Sequence, residues 1–221
     1  CLPPVGFVHR THRTCAVVGN AWHLGGSHFG SEIDAHEVVL RLNDAPVEEW
    51  KEHVGARTTH RFVDKLTKWT RFAEGEQLVL RFNKDLPLAE FVDACHALTP
   101  TPLALSPSFV EYAHSSVAGF LEQTRAYVLT TGFLAVLWAV HACDSVSVYG
   151  FGGGESEEVD GLLQYNYFSW RPRDAEYFTP YHAWDDEAAI LMRLERAGAL
   201  RRRFREDLAG QLRCGALGER N

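Results

Sequence analysis

Short β-rich runs alternate along this chain with segments of helical spacing, and that alternation limits the available folds more than any other feature. Ala16–Val18 is a compact apolar run that closes on Gly19-Asn20. After a glycine-punctuated stretch through Gly30, Val38–Leu42 reads as a second strand, Thr58–Val63 as a third and Gln77–Phe82 as a fourth. Leu86–Leu98 carries apolar residues at helical spacing, Leu103–Leu105 is a short strand before Pro107, and Phe109–Leu121 is helical again. Phe133–Cys143 is apolar nearly all round, as suits a helix buried on every side. Ser145–Phe151 alternates like a half-buried strand, and Ala188–Ala199 is an amphipathic, Arg-rich helix. The basic end, Arg201 to Arg205, reads as the solvated face of a terminal helix. Strands separated by helices predict an α/β fold with a mainly parallel central sheet flanked by helices. With 221 residues and no internal repeat, linker or low-complexity tract, one domain over 1–221 is expected.

Charge and cysteine usage narrow the function. Lys plus Arg number 22 against 29 Asp plus Glu, a net charge of −7, which disfavours a sequence-independent nucleic-acid binder. No apolar run approaches the ~18 residues that span a bilayer. The chain opens on Cys1 and not on Met, which predicts a trimmed N-terminus. Its cysteines (Cys1, Cys15, Cys95, Cys143, Cys214) contain no Cys-x-x-Cys and no pairing with close histidines, so a metal finger is excluded. Four of them suffice for two bridges with one thiol left over; buried reduced thiols fit the count equally well. His9 and His12, spaced i, i+3, lack a third ligand and read as surface residues.

The segment Cys15 to Pro46 is the most informative. A strand, a polar and Gly-rich turn and then a helix form a phosphate or nucleotide cradle, with backbone N–H groups and a helix N-terminus facing an anion. The spacing of Gly19, Gly25, Gly26 and Gly30 is not Gly-x-Gly-x-x-Gly, so a dinucleotide enzyme is disfavoured.

Cys-Ala-Val-Val-Gly-Asn, then Gly-Ser-x-x-Gly-x-Glu-Ile-Asp-x-His, then Val-Leu-Arg-Leu-Asn-Asp-Ala-Pro resembles the large sialylmotif of the eukaryotic and viral-type sialyltransferases, glycosyltransferase family 29. His53-Val54-Gly55-x-x-Thr58-Thr59 continues the match. Leu129-Thr130-Thr131-Gly132 through Cys143 to Phe151 resembles the small sialylmotif, and Tyr181-His182 through Glu187 the very small one. The three occur in the family's order between Cys15 and Glu187.

The resemblance implies a variant GT-A-like, Rossmann-related fold and inverting transfer of sialic acid from CMP-sialic acid to a sugar hydroxyl of a glycan. His182 stands at the family's general-base position, with Glu187 one turn on to orient its imidazole. Asn20 and Asn43 match asparagines that contact the CMP moiety; by themselves they would read as a turn residue and a strand-end cap. Thr130, Thr131 and Gly132 stand where hydroxyls and N–H groups at a helix start bind ribose and the donor carboxylate, and an N-cap by Thr131 is compatible with that. The family's third motif is altered here to Gln164-Tyr165-Asn166-Tyr167-Phe168, without a His. Tyr165, 17 residues before His182, takes the phosphate-assisting position, and Tyr167 fits nearly as well. The motif cysteines imply a Cys15–Cys143 disulfide in an oxidising compartment, and Cys1 with Cys214 either a second bridge or two unpaired thiols. Cys95 is then a buried thiol. No cofactor or metal is implied, since a single phosphate can be held by amide, hydroxyl and helix-end donors; adjacent Asp185 and Asp186 fit an Asp-x-Asp poorly. The family's members are Golgi luminal enzymes anchored by one N-terminal helix, and their acceptors are glycans on glycoproteins or glycolipids. Two alternatives remain: a transferase using another CMP-activated acid such as CMP-Kdo, and a catalytically silent glycan- or nucleotide-binding relative.

Overall fold

The computed structural model describes residues 10–64, 75–81, 88–118, 128–151, 158–159, 162–172, 182 and 184–204. In chain order these form β1 (His12–Val18), a 3₁₀ turn (Trp22–Gly26), α1 (Gly30–Asp34), β2 (Val38–Leu42), a second 3₁₀ turn (Glu48–Trp50) and α2 (Lys51–Val54). Next come β3 (His60–Val63), β4 (Gln77–Leu80), α3 (Leu88–Ala97), β5 (Leu103–Ala104), α4 (Pro107–Ala118), α5 (Thr131–Ala142) and β6 (Cys143–Tyr149). The order closes with β7 (Glu158–Val159), β8 (Leu162–Asn166), β9 (Ser169–Pro172), α6 (Trp184–Arg196) and β10 (Arg201–Arg203).

The main sheet has seven strands in the order β10-β6-β1-β2-β3-β4-β5, and every neighbouring pair is parallel. A parallel sheet needs cover on both faces, which explains why its strands read as continuous apolar runs. Because successive residues point to opposite faces, Cys15 and Val17 join the core with α5, while Ala16 and Val18 join a second core with Phe29 and Ile33. From α5, Gly132 through Leu137, Ala139 and Ala142 are all buried, as its lack of a polar face requires. The chain runs outward from β1 to β5, then returns to β6 on the other side of β1. That reversal opens a crevice at the carboxyl ends of β1 and β6, where ligands of open α/β sheets collect.

Several elements differ from the sequence reading. Arg201–Arg203 is not part of a helix; it is β10, an edge strand paired with β6. Gly198, at φ 74°, ends α6 and frees the chain to enter the sheet. There Arg203 is buried, with only 3% of its side chain exposed, and it donates to both oxygens of Glu32 at 2.7 and 2.9 Å. Tyr149 adds a hydroxyl donor to Glu32 at 2.9 Å. Although burial pushes the Glu32 carboxyl up, these bonds outweigh it and hold the group below the usual range. His12 is half-buried and within hydrogen-bond distance of Glu37 at 3.1 Å, so it is not a simple surface residue. The second, antiparallel sheet β7-β8-β9 was not foreseen either. It is seated against the end of β1, where Ala21 bridges Asn166 and the Tyr167 amide donates to the Asn20 carbonyl at 3.1 Å.

The glycines of the first motif act through close backbone approach more than through an anion cradle. A Cβ at Gly19 would lie 2.3 Å from the Gly150 carbonyl oxygen, and one at Gly30 would lie 2.1 Å from that of Lys51. Gly19 thus lets the turns after β1 and β6 touch, and Gly30 lets α1 press onto α2. With five residues, α1 is too short to act as an anion-binding helix.

Cys15 and Cys143 form a disulfide that joins residues 128 apart in sequence. Both belong to the main core, between β1 and the α5–β6 junction. Cys1, Cys214, His9, Tyr181 and the side chain of Cys95 lie outside the described residues. Closure of so long a loop restricts the unfolded chain, so changing both Cys15 and Cys143 to Ser should cost about 2–5 kcal/mol. Urea unfolding of the double variant against the oxidised parent measures this as a lower midpoint.

Candidate active site

At the carboxyl edge of the sheet, β1 ends in Gly19-Asn20, β2 in Asn43 and β6 in Gly150-Phe151. The N-terminus of α5 meets them there: a Cβ on Gly132 would lie 3.0 Å from the Phe151 ring and 3.1 Å from Leu42. The same Phe151 ring covers Gly19, so the structure brings the large-motif and small-motif segments together around one aromatic side chain.

Asn43 occupies the left-handed region at φ 49°, a conformation its short amide tolerates better than most side chains. Its backbone N–H donates to the Phe62 carbonyl at 2.8 Å and its Oδ1 accepts from the Asp64 amide at 3.2 Å. The amide nitrogen has no partner among the described residues. Asn20 differs: its Oδ1 is buried and unpartnered among the described residues, an acceptor left without a donor. Tyr165 is half-buried on β8, whereas Tyr167 is buried and donates its hydroxyl to the Pro46 carbonyl at 2.6 Å. Burial pushes the Tyr167 phenol up to about 12. Tyr167 is therefore a core residue, and of the two tyrosines only Tyr165 retains exposure.

Thr130, not Thr131, caps α5: its hydroxyl accepts from the Phe133 amide at 3.0 Å. The same hydroxyl donates to Glu187 Oε2 at 2.6 Å, and the Thr130 amide donates to Glu187 Oε1 at 2.7 Å. Thr130 is thus fully engaged within the protein, and half-buried Thr131 is the hydroxyl left facing outward. Glu187 does not bond the imidazole it was expected to orient, because both its oxygens are held by Thr130. His182 is held instead by the Val128 carbonyl, 2.5 Å from Nδ1. A carbonyl can only accept, so Nδ1 carries a proton, and in the tautomer this selects the lone pair lies on Nε2. His182 and Glu187 therefore grip the same strand-like segment, residues 128–130, from the start of α6.

Arginines within or just after apolar strand runs brace the segments around the sheet, and the sequence reading did not single them out. Arg61 is paired with Glu76 in the interior, and its Nη1 donates to the Asn43 carbonyl at 2.8 Å. Arg81 donates to the Leu129 carbonyl at 2.5 Å. Arg41, fully buried, donates to the carbonyls of Val54, Gly55 and Arg57, and burial pushes it down to about 10. A charged residue inside an otherwise apolar strand was the available signal. Asp185 and Asp186 lie in the first turn of α6, and among the described residues no group of three or more His, Cys, Asp or Glu is arranged to hold a metal ion.

The main sheet is all-parallel, and around its switch point stand two asparagines and the capped start of α5, with the His182 imidazole anchored to the segment before that helix. The family model for glycosyltransferase family 29 (sialyltransferase) matches residues 2–92 and 70–199, and the chain belongs to that family. It is 36% identical over 156 residues to chicken CMP-N-acetylneuraminate-beta-galactosamide-alpha-2,3-sialyltransferase 1, covering 63% of this chain and 44% of the relative. It is 30% identical over 204 residues to mouse sialyltransferase 2 of the same name, covering 85% and 56%. Rice sialyltransferase-like protein 2 is 31% identical over 187 residues, covering 66% and 46%. The chain thus spans about half the length of these relatives. The crystal structure of a mammalian sialyltransferase in complex with Gal-beta-1-3GalNAc-ortho-nitrophenol superposes with a TM-score of 0.66 at 28% identity, covering 88% of this chain and 70% of that one.

Burial pushes the Glu187 carboxyl up to about 7, with the Thr130 bonds and Arg81 pulling the other way. A raised carboxyl is protonated more readily in the folded than in the unfolded state, so stability should fall as pH rises from about 4.5 through 7. At about 1.4 kcal/mol per unit, the ceiling is about 3 kcal/mol. Thermal midpoints between pH 5 and 8 should show this slope in the parent and a flatter profile in Glu187→Gln.

Proposed function

We propose that the chain is the catalytic domain, over 1–221, of an inverting sialyltransferase that takes sialic acid from CMP-sialic acid to a sugar hydroxyl of a glycan. The observation that carries this reading is the anchored His182, whose protonated Nδ1 leaves Nε2 as a base. In the reaction the acceptor hydroxyl gives its proton to Nε2 and its oxygen bonds the anomeric carbon. The bond from that carbon to the CMP phosphate breaks on the opposite face, and CMP leaves with the electron pair. Inversion follows from the single displacement.

The Asn43 amide and the Thr131 hydroxyl are suited to the phosphate and donor carboxylate, with Gly132 allowing close approach at the helix start. The unmet acceptor on Asn20 suits a ribose hydroxyl or the cytosine amine. Half-exposed Tyr165 can donate to the leaving phosphate. Thr130 and Glu187 position the helix start and touch no substrate. No metal or other cofactor has a task in this scheme. The Golgi lumen, with a type II anchor outside this segment, fits the disulfide and the glycan acceptors; among the described residues no helix is long and apolar enough to cross a membrane.

His182→Ala should lower turnover about 10²–10⁴-fold while CMP affinity stays within about threefold. Asn20→Ala and Asn43→Ala should instead weaken CMP binding by about tenfold, the loss of one hydrogen bond to a charged or buried group. Calorimetry with CMP, with and without EDTA, and donor turnover with CMP-sialic acid and CMP-Kdo test the scheme. Wild-type turnover in a folded His182→Ala removes the base; EDTA-sensitive binding removes metal independence; turnover of neither donor leaves a silent relative.

A further inference from the structure

Trp184 is a large apolar side chain left in the open beside His182. It is the first residue of α6, and 184, 187 and 191 fall on one helical face. Glu187 and Leu191 on that face are buried, yet Trp184 remains 47% exposed. The inward stripe of α6 therefore runs past the core to an exposed residue, one turn before Glu187 meets the start of α5. Its indole meets the His182 imidazole in a T-shaped contact, with ring centroids 5.2 Å apart and planes at 75°. Val128, whose carbonyl holds Nδ1 of the same imidazole, is itself 43% exposed. Two exposed apolar residues thus contact the imidazole whose Nε2 is left to act as a base. Single exposed apolar residues are ordinary; two at the mouth of a site mark a ligand surface.

We propose that Trp184 is the acceptor platform: the C–H face of a β-galactoside ring packs on the indole, with one of its edge hydroxyls presented to His182 Nε2. This rests on His182 being the base. The chemistry suits the geometry, because β-galactose carries three ring hydrogens on one face, and an aromatic face attracts such partly positive hydrogens. A sugar lying flat on the indole offers its equatorial hydroxyls sideways, toward the ring that stands nearly perpendicular to it. The half-open indole costs solvation in the empty site and recovers it when the sugar covers it.

The test uses CMP-N-acetylneuraminate as donor, and methyl β-galactoside and Galβ1-3GalNAc as acceptors. Trp184→Ala should raise acceptor KM about tenfold or more, with kcat within threefold and donor KM within twofold. Trp184→Leu, which keeps apolar bulk without a π face and guards against a folding defect, should behave like Ala; Trp184→Phe and Trp184→Tyr should recover most of the loss. Met192→Ala, another exposed apolar change on α6, should move none of these values. Saturation-transfer NMR with methyl β-galactoside should mark H3, H4 and H5 in the parent and in His182→Ala, and lose them in Trp184→Ala. Galactoside contact in a protein that transfers nothing would sink the donor and base reading and leave the platform standing. Unchanged acceptor KM and NMR contact in Trp184→Ala, or an equal loss in donor KM that Phe and Tyr do not restore, would overturn the platform.

Discussion

One carboxylate joins the two halves of the site. Glu187 accepts both the amide and the hydroxyl of Thr130, and the same hydroxyl caps α5. Beside it, the His182–Val128 bond also holds the start of α6 to the segment before α5. The bond set is buried, where a carboxylate is costly unless its oxygens are satisfied, and here each has one donor. That cost appears as a carboxyl pushed up to about 7, so the joint between α6 and the start of α5 is also a group near its titration point at neutral pH.

Buried arginines do comparable work along the rest of the edge. Arg41 and Arg61 lie within β2 and β3 and Arg81 just after β4, and each donates to carbonyls outside the strands. Loops after parallel strands carry many unpaired carbonyls, and a guanidinium offers five donors in a fixed fork. Arg61 also has Glu76 to balance its charge, which keeps the Asn43 turn in its left-handed conformation without a lone buried cation. Arg203 serves the far edge in the same way through Glu32, fastening β10 over α1.

Much of the sheet was legible because apolar runs bounded by turns leave few alternatives in a chain of this composition. β2 stands where Val38–Leu42 was read, and α5 covers nearly all of the predicted buried helix. The strands β8 and β9 were missed because Tyr165 and Tyr167 were read for chemistry, and only contact with Pro46 distinguishes the core tyrosine from the half-exposed one. Arg201–Arg203 misled because a basic run after an amphipathic helix looks solvated in sequence, whereas its fate depended on a carboxylate 171 residues away from Arg203.

Residue identity and order by themselves determined the alternation of strand and helix, the sialylmotif family, and the cysteines, asparagines and histidine that stand at its motif positions. Those follow from local spacing and from side-chain chemistry, which a single chain displays openly. Tertiary structure alone decided which atoms of those residues remain available. It committed Glu187 to Thr130, bound Nδ1 of His182 to the Val128 carbonyl and left Trp184 exposed beside that imidazole. The reason is physical: a hydrogen-bonding atom has few valences, and which partner fills them depends on what packing brings within about 3 Å.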